Sequence, residues 1–326
     1  MSAARSFTIT ARLALVTTMT MFFLIIVGSV VRTTGSGLAC PDWPLCNGQL
    51  IPPLQFNVFI EWFHRLLALI VSVMLALTVV WVLTRGVVRA KLAGIALLAV
   101  LLLGVQILLG ALTVWKLLSP AIVGSHLAVA LLLFTTMLLL TLAADGEARR
   151  AAPEWDAAEV VPRPPGLLPL FAAATFLVYA QAVLGGAVST HHAALACPDW
   201  PTCNGEWFPP MAGLVGLQMA HRWGAYLLIG VMIALFAATR RVPDAGVRAA
   251  AQMTLSLTLA QAVLGVSNVF LGAPVWLSAA HLATAAAILA LSVAGTYRVA
   301  AIPALPAGHA AGQPLRSAPG AGGGIR

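Results

Sequence analysis

The stretch LACPDWPLCNG at residues 38–48 recurs with a single change as LACPDWPTCNG at residues 195–205. The similarity continues outward at the same offset of 157 residues, where EWFHR at 61–65 matches QMAHR at 218–222. A repeat of this length indicates that a whole structural unit is duplicated. The sequence therefore predicts a tandem of two related units.

Shorter similarities run through the apolar segments between these motifs. VQILLGALTV at residues 105–114 aligns with AQAVLGVSNV at residues 260–269, and AQAVLG also occurs at residues 180–185. We interpret these matches as a sign that each unit is itself built from related helix pairs.

The composition excludes an ordinary soluble domain. Of 326 residues, 60% are hydrophobic and 9% are charged, with a mean hydropathy of +0.96. A soluble domain carries about 25% charged residues. Apolar runs near 20 residues match the thickness of a bilayer core. The sequence predicts an all-α polytopic membrane protein whose eight spans cover about 13–31, 59–83, 92–114, 121–143, 167–189, 215–239, 249–271 and 276–297.

These spans divide into two pseudosymmetric four-helix bundles in tandem. We expect an N-terminal bundle over 1–143, a cytoplasmic linker over 144–166, a C-terminal bundle over 167–298 and a disordered cytoplasmic tail over 299–326. The linker is polar and rich in proline, and the tail is rich in Ala, Gly and Pro.

The net charge of +8 sets orientation and does not indicate nucleic-acid binding. Fourteen of the 18 basic residues fall on one side of the predicted topology, so both termini are expected in the cytoplasm and the cysteine loops outside the inner membrane. These residues are Arg5, Arg12, Arg85, Arg89, Lys91, Arg149, Arg150, Arg163, Arg240, Arg241, Arg248, Arg298, Arg316 and Arg326.

All four cysteines belong to the two repeated loops. Five intervening residues do not match a zinc knuckle or a thioredoxin-type pair. In an oxidising compartment the simple interpretation is one disulfide in each loop, Cys40–Cys46 and Cys197–Cys203. A thiol pair that cycles during function is the alternative.

Four of the seven histidines occupy equivalent places in the even-numbered spans: His64, His126, His221 and His281. Each lies within about five residues of the predicted outer start of its span, which places all four in one shallow layer. His191 and His192 lie at the outer edge of the fifth span and are expected at the surface. A single histidine in a membrane usually forms hydrogen bonds between helices.

Four histidines at one depth favour a cofactor. Two facing imidazoles provide the axial ligands of a haem in a four-helix bundle. The natural pairs are His64 with His126 and His221 with His281, so the pattern favours two haem sites. Arg65 and Arg222 follow the first histidine of each pair, and either could bind a haem propionate or extend towards the membrane surface.

The two units differ at one position beside the first histidine. Glu61 stands three residues before His64, whereas the equivalent Gln218 cannot ionise. A carboxylate beside a haem can transfer protons or stabilise positive charge. This difference favours an enzymatic role for the first unit, with Glu61 at the membrane edge facing water as the structural alternative.

Together, the ExxHR motif at Glu61–Arg65, its copy at Gln218–Arg222, the later histidines and the paired CPDWPxCNG loops resemble the haem A synthase family over residues 10–298. The resemblance implies an oxidoreductase that converts haem O into haem A by oxidising a ring methyl to a formyl group. It implies that His64 and His126 hold the substrate haem with Glu61 as the catalytic carboxylate. It also implies that His221 and His281 bind the iron of a haem b cofactor.

The expected partners are haem O as substrate, an electron-transfer partner and, because the substrate is hydrophobic, haem O synthase. Two other functions remain open at this point. A di-haem b electron carrier linked to quinol would use both haems permanently, and a transporter would also fit the duplication. The parallel repeats and the unbroken spans weaken the transporter interpretation.

Overall fold

A computed structural model describes residues 1–53, 55–152 and 162–304 of the chain. These residues form eight α-helices, each long and apolar enough to cross a membrane, which confirms the predicted all-α architecture. The helices are α1 (Ala3–Thr33), α2 (Phe56–Thr84), α3 (Gly86–Trp115), α4 (Pro120–Arg150), α5 (Leu167–Thr190), α6 (Gly213–Thr239), α7 (Ala245–Phe270) and α8 (Val275–Ala301).

The helix lengths follow from the membrane environment. At 1.5 Å per residue, helices of 24 to 31 residues extend about 36–47 Å and exceed the roughly 30 Å hydrocarbon core. A helix satisfies its own backbone hydrogen bonds, which the hydrocarbon cannot do. The chain therefore crosses the membrane as regular helices and leaves irregular backbone for the ends.

Within each unit the helices form a closed ring of four. Helix α1 packs against α2 and α4, and α3 packs against the same two helices. The second unit repeats this pattern, since α5 and α7 both pack against α6 and α8. The predicted tandem of four-helix bundles is confirmed by these contacts.

The two units meet through equivalent helices around a pseudo-two-fold axis. The contacts are α1 with α8, α4 with α5, and α4 with α8. The hydroxyl of Tyr179 donates to the carbonyl of Ala128 across this interface at 3.2 Å. A Cβ on Gly186 would lie 2.6 Å from Leu127, so glycine allows α4 and α5 to approach closely.

A continuous apolar core extends through both units and includes buried side chains of α4 and α8, such as Leu131, Met137, Ile288 and Leu289. Threonine hydroxyls add polar contacts between helices, as in the 2.8 Å hydrogen bond between Thr175 and Thr296. Each of these two hydroxyls also lies within hydrogen-bond distance of the backbone carbonyl one turn earlier, so the hydroxyl that accepts the bond between the helices donates its own proton there.

The first bundle extends beyond its predicted boundary, because α4 continues through residues 144–150. Arg149 pairs with Asp145 and Arg150 with Glu147, one turn apart, and such pairs support an exposed helix end. Much of the remaining predicted linker, residues 153–161, lies outside the described residues. The same holds for residues 305–326 of the tail, whereas residues 299–301 complete α8.

Candidate functional site

The four intramembrane histidines lie near the end of the bundle that carries the connections 34–55 and 191–212, called here the loop end. His64 and His221 are eight residues after the start of their helices, and His126 and His281 are six. These positions lie roughly 9–12 Å along the axis from the start of each helix. The even-numbered helices begin one to three residues before the predicted spans. The shared layer nevertheless persists.

The histidines form one pair in each unit. The ring centres of His221 and His281 are 6.5 Å apart, and the ring planes are inclined by 71°. His64 on α2 and His126 on α4 occupy the equivalent places in the first unit. The structure thus brings together His221 and His281, the pair predicted from sequence in the second unit.

Each odd-numbered helix presents a glycine to the imidazole carried by the next helix. A Cβ on that glycine would lie 2.9–3.3 Å from the Cε1 atom of the ring, closer than nearly all real Cβ contacts. Glycine therefore provides the space that each imidazole occupies. The four pairs are Gly28–His64, Gly110–His126, Gly185–His221 and Gly265–His281.

Three odd-numbered helices also carry a glutamine one turn before this glycine. The amide nitrogen of Gln181 lies 3.0 Å from Nδ1 of His221 and donates to the carbonyl oxygen of the same residue at 2.7 Å. The other pairs are Gln261 with the carbonyl oxygen of His281 at 2.9 Å and Gln106 with Nε2 of His126 at 3.2 Å.

No role was predicted from sequence for these glycines and glutamines. The signal was present in the repeated AQAVLG and VQILLG segments, each of which spaces a glutamine four residues before a glycine. Residues four apart share one face of a helix, so this spacing alone would have placed both against the same neighbour.

The histidine layer has the properties of a site for a metal-centred planar group. Nδ1 of His64, His126 and His281 is buried without a hydrogen-bond partner among the described residues, which is unusual for a buried polar atom. Two metal–imidazole bonds of about 2 Å and two ring radii of about 1 Å span about 6 Å, close to the separation observed at His221 and His281. The residues present therefore fit a bis-histidine haem.

Above each histidine layer lies a lid, defined as residues 38–48 in the first unit and 195–205 in the second. Asn47 and Gly48 both adopt positive φ, 53° and 70°, which is the conformation that Asn-Gly turns favour. Asn204 and Gly205 repeat it. The structure contains both expected disulfides, Cys40–Cys46 and Cys197–Cys203.

An aspartate holds the turn within each lid. Asp42 accepts hydrogen bonds from the backbone N–H groups of Asn47 and Gly48, at 2.6 and 2.8 Å. The N–H of Gly48 contributes most to lowering the pKa of Asp42. In the second lid the hydroxyl of Thr202, followed by the N–H of Gly205, lowers the pKa of Asp199 to about 2. Both carboxylates therefore stay ionised and keep their hydrogen bonds in mildly acidic medium.

An arginine from the following helix holds each lid from below. Arg65 donates to the carbonyl oxygens of Cys40, Asp42 and Leu45 at 2.5–2.9 Å. Arg222 makes the equivalent contacts with Cys197, Asp199 and Thr202 at 2.6–2.8 Å. The contacts observed for both arginines are with the lids. Their expected binding to haem propionates stays a prediction.

The two units differ where Glu61 and Gln218 stand. Glu61 is 4% exposed, so it does not face water as the structural alternative predicted. Its carboxylate accepts from Arg65 at 2.6 Å and from the N–H of Cys40 at 2.8 Å. Gln218 donates to the carbonyl of Ala194 at 3.2 Å, and within the described part of the chain its own amide oxygen is buried without a partner. Only the first of these two sites thus has an acidic group, and it is ion-paired.

The remaining histidines of the described chain lie apart from this layer. His191 and His192 are exposed at the end of α5, and Nδ1 of His191 lies 2.9 Å from the carbonyl oxygen of Ala187.

Comparison with known proteins identifies the family. A family model described as "Cytochrome oxidase assembly protein" matches residues 11–57 and 54–293. A protein named "Heme A synthase" from Symbiobacterium thermophilum is 31% identical over 254 residues, which cover 77% of this chain and 83% of that protein.

Proteins of the same name from other bacteria give similar matches. The one from Shouchella clausii is 32% identical over 79% of this chain and 86% of its own length. The one from Shewanella oneidensis is 28% identical over 84% of this chain and 92% of its own length. The chain therefore belongs to the family of cytochrome oxidase assembly proteins that includes the haem A synthases.

Proposed function

We propose that the protein is an oxidoreductase that converts haem O into haem A by oxidising a ring methyl to a formyl group. The observation that carries this proposal is the buried Glu61, ion-paired to Arg65, in one of two otherwise matched histidine sites. The relatives named "Heme A synthase" support haem A as the product.

The two units have different roles in this proposal. The first bundle, α1–α4, binds the substrate haem through His64 and His126. The second bundle, α5–α8, binds haem b through His221 and His281. Haem b supplies one-electron redox chemistry when bound. The support for this division is that Glu61, beside His64, has the neutral Gln218 as its counterpart beside His221.

Glu61 acts as the proton-transferring or charge-stabilising group of the first site. It lies three residues before His64 on the same helix, and residues at this spacing share a face. The ion pair with Arg65 and the N–H of Cys40 fix both carboxylate oxygens. The first lid therefore positions Glu61, while Arg65 connects the carboxylate to the lid backbone.

The lids limit the access of water to the histidine layer. Trp43 of the first lid contacts Trp115 edge-on, with ring centres 6.0 Å apart, and Phe208 beside the second lid contacts Trp223 at the same separation. By the distribution of basic residues, we place both lids outside the inner membrane and both termini in the cytoplasm. Haem O synthase is the proposed donor of substrate, and an electron-transfer partner completes the reaction.

Identification of the bound porphyrins tests the proposal. The protein is purified from membranes of cells that also make haem O, and its porphyrins are extracted with acid solvent and identified by chromatography and mass. We expect haem b together with haem O, haem A or a hydroxylated intermediate. Haem b alone, at about two per chain, would identify a di-haem electron carrier instead.

Substitution of Gly185 tests whether the glycine face is needed for haem b. In Gly185→Ala the new Cβ would lie 2.9 Å from the His221 ring and would displace it. Overpacking of this kind costs about 1–3 kcal/mol, so we expect haem b retention to fall at least about fivefold. The measurement is haem b per chain after purification. Gly104→Ala is the control, since nothing lies within 4 Å of its Cβ position, and equal losses in both variants would reject the role.

A further inference from the structure

The first unit has two further polar residues near Glu61 at positions where the second unit is apolar. At the repeat offset of 157 residues, Ser36 corresponds to Ala193 and Asn57 corresponds to Leu214. Ser36 stands just before the first lid and is fully buried, as Ala193 is in the second unit. Asn57 lies on α2 one turn before Glu61, so the two side chains share a face of the helix. The difference at Glu61 is therefore accompanied by two others.

Ser36 is joined to α2 through Asn57. The Ser36 hydroxyl donates to the side-chain oxygen of Asn57 at 3.2 Å. The hydroxyl of Thr34 lies 2.7 Å from that of Ser36 and can donate to it, which leaves the Ser36 proton for Asn57. Ala193 and Leu214 carry no polar side-chain atom, so the second unit cannot form this hydrogen bond.

The chain leads from this hydrogen bond to the carboxylate. The N–H of Ala39 donates to the carbonyl oxygen of Ser36 at 3.0 Å and closes a turn. The next N–H, that of Cys40, donates to Glu61 at 2.8 Å. The pairs Ser36–Asn57 and Cys40–Glu61 are each separated by 21 residues. This segment therefore runs alongside the first turns of α2 and is held there at two points.

The second unit keeps the turn but makes a different contact with the helix. The N–H of Ala196 donates to the carbonyl oxygen of Ala193 at 3.1 Å. Gln218, however, donates to the carbonyl oxygen of Ala194, and its own amide oxygen accepts no hydrogen bond from the described residues. Within the described chain, the N–H of Cys197 therefore does not bind this side chain, unlike its equivalent in the first unit.

We propose that Ser36 and Asn57 are positioning residues for Glu61. They hold the N–H of Cys40 at one carboxylate oxygen while Arg65 binds the other. A carboxylate held at one oxygen can still rotate about its last side-chain bond, and a contact at each oxygen removes that freedom. Displacement of a reacting group by about 1 Å can cost about 100-fold in rate. The inference rests on the proposed function, which assigns proton transfer or charge stabilisation to Glu61.

Replacing each residue with its second-unit equivalent tests this role. In Ser36→Ala we expect haem A formation per chain at saturating haem O to fall about tenfold, as for the loss of a buried hydrogen bond. Asn57→Leu should have a similar effect. The content of bound haem O should not change, because the substrate histidines are untouched. The double variant should lose no more activity than either single variant, because both substitutions remove the same hydrogen bond.

Infrared spectroscopy separates positioning from a general loss of stability. Redox-induced difference spectra of the haem-loaded, full-length protein should contain a carboxylate band that disappears in Glu61→Gln. This band should shift in both Ser36→Ala and Asn57→Leu. Gln55→Ala is the matched control, because it also introduces the second-unit residue, Ala212, and the exposed Gln55 side chain does not cap α2. The control should change neither the band nor the rate.

The outcomes distinguish this inference from the proposed function. Unchanged rates in both single variants would overturn the inference, since the contact would not matter for the reaction. A reduced rate with an unshifted band would also overturn it, because the loss would then come from the lid rather than from Glu61. If the unmodified protein never oxidises haem O, the proposed function fails. A shifted band in Ser36→Ala would in that case still support the positioning of Glu61, and an unshifted band would reject it.

Discussion

Glu61→Gln should lower the conversion of haem O by a factor of about 10²–10⁴, the usual contribution of a positioned acid or base. The substitution removes the ionisable group and gives the first unit the residue that the second already has. Arg65 keeps its three hydrogen bonds to the lid carbonyls, so the lid should remain in place. Bound haem should therefore be retained, and the measurement is haem A formed per chain together with porphyrin content.

The internal repeat provides a matched control for this variant. Gln218→Glu introduces a carboxylate at the equivalent place in the second unit, below Arg222. Haem O oxidation should not rise in this variant, because the substrate histidines belong to the other bundle. Full activity of Glu61→Gln would remove the catalytic role. Loss of all porphyrin would indicate a structural role for the ion pair instead.

His281→Ala should remove nearly all haem b from the purified protein. Substitution of a residue beside a metal ligand typically costs about 10- to 100-fold in affinity, and loss of the ligand itself should cost at least as much. His221 would remain with its Gln181 contact but without the ring that stands 6.5 Å away. The measurement is the absorption spectrum of reduced haem and the haem b content of each chain.

The equivalent variant of the first unit is the control. His126→Ala should leave haem b at one per chain while it weakens binding of haem O. A protein that keeps its haem b in His281→Ala and loses it in His126→Ala would reverse the assignment of the units. Unchanged haem b in both variants would exclude these histidines as ligands.

Much of the architecture could be predicted because a bilayer allows few alternatives. Apolar runs determined the number of helices, and the repeat offset determined which helices are equivalent. The start of α2 was less accurate, because the helix begins at Phe56 and includes a first turn that an apolar run does not reveal. The continuation of α4 to Arg150 was missed for a related reason, since its ion pairs are polar.

Only the features of the site that depend on residue type could be predicted from the sequence. Histidines and a glutamate in a membrane are conspicuous in the sequence. The glycine facing each imidazole and the amide of Gln181 depend on the rotation of α5 and α7 about their axes, which sequence periodicity gives only coarsely. The lid contacts of Arg65 join residues 20–25 positions apart through a folded loop, and composition does not encode such a geometry.

Arg32 forms a hydrogen bond that is possible because the two repeats belong to one chain. Its guanidinium donates to the backbone carbonyl of Ser189, and these two residues are 157 positions apart, the offset of the repeat itself. The contact therefore lies on the pseudo-symmetry axis. In an assembly of two identical chains the same position would bring two like charges together at this axis, and they would repel each other. Because both halves belong to a single chain, one half can carry an arginine and the other a neutral acceptor. A hydrogen bond between the halves then replaces the repulsion.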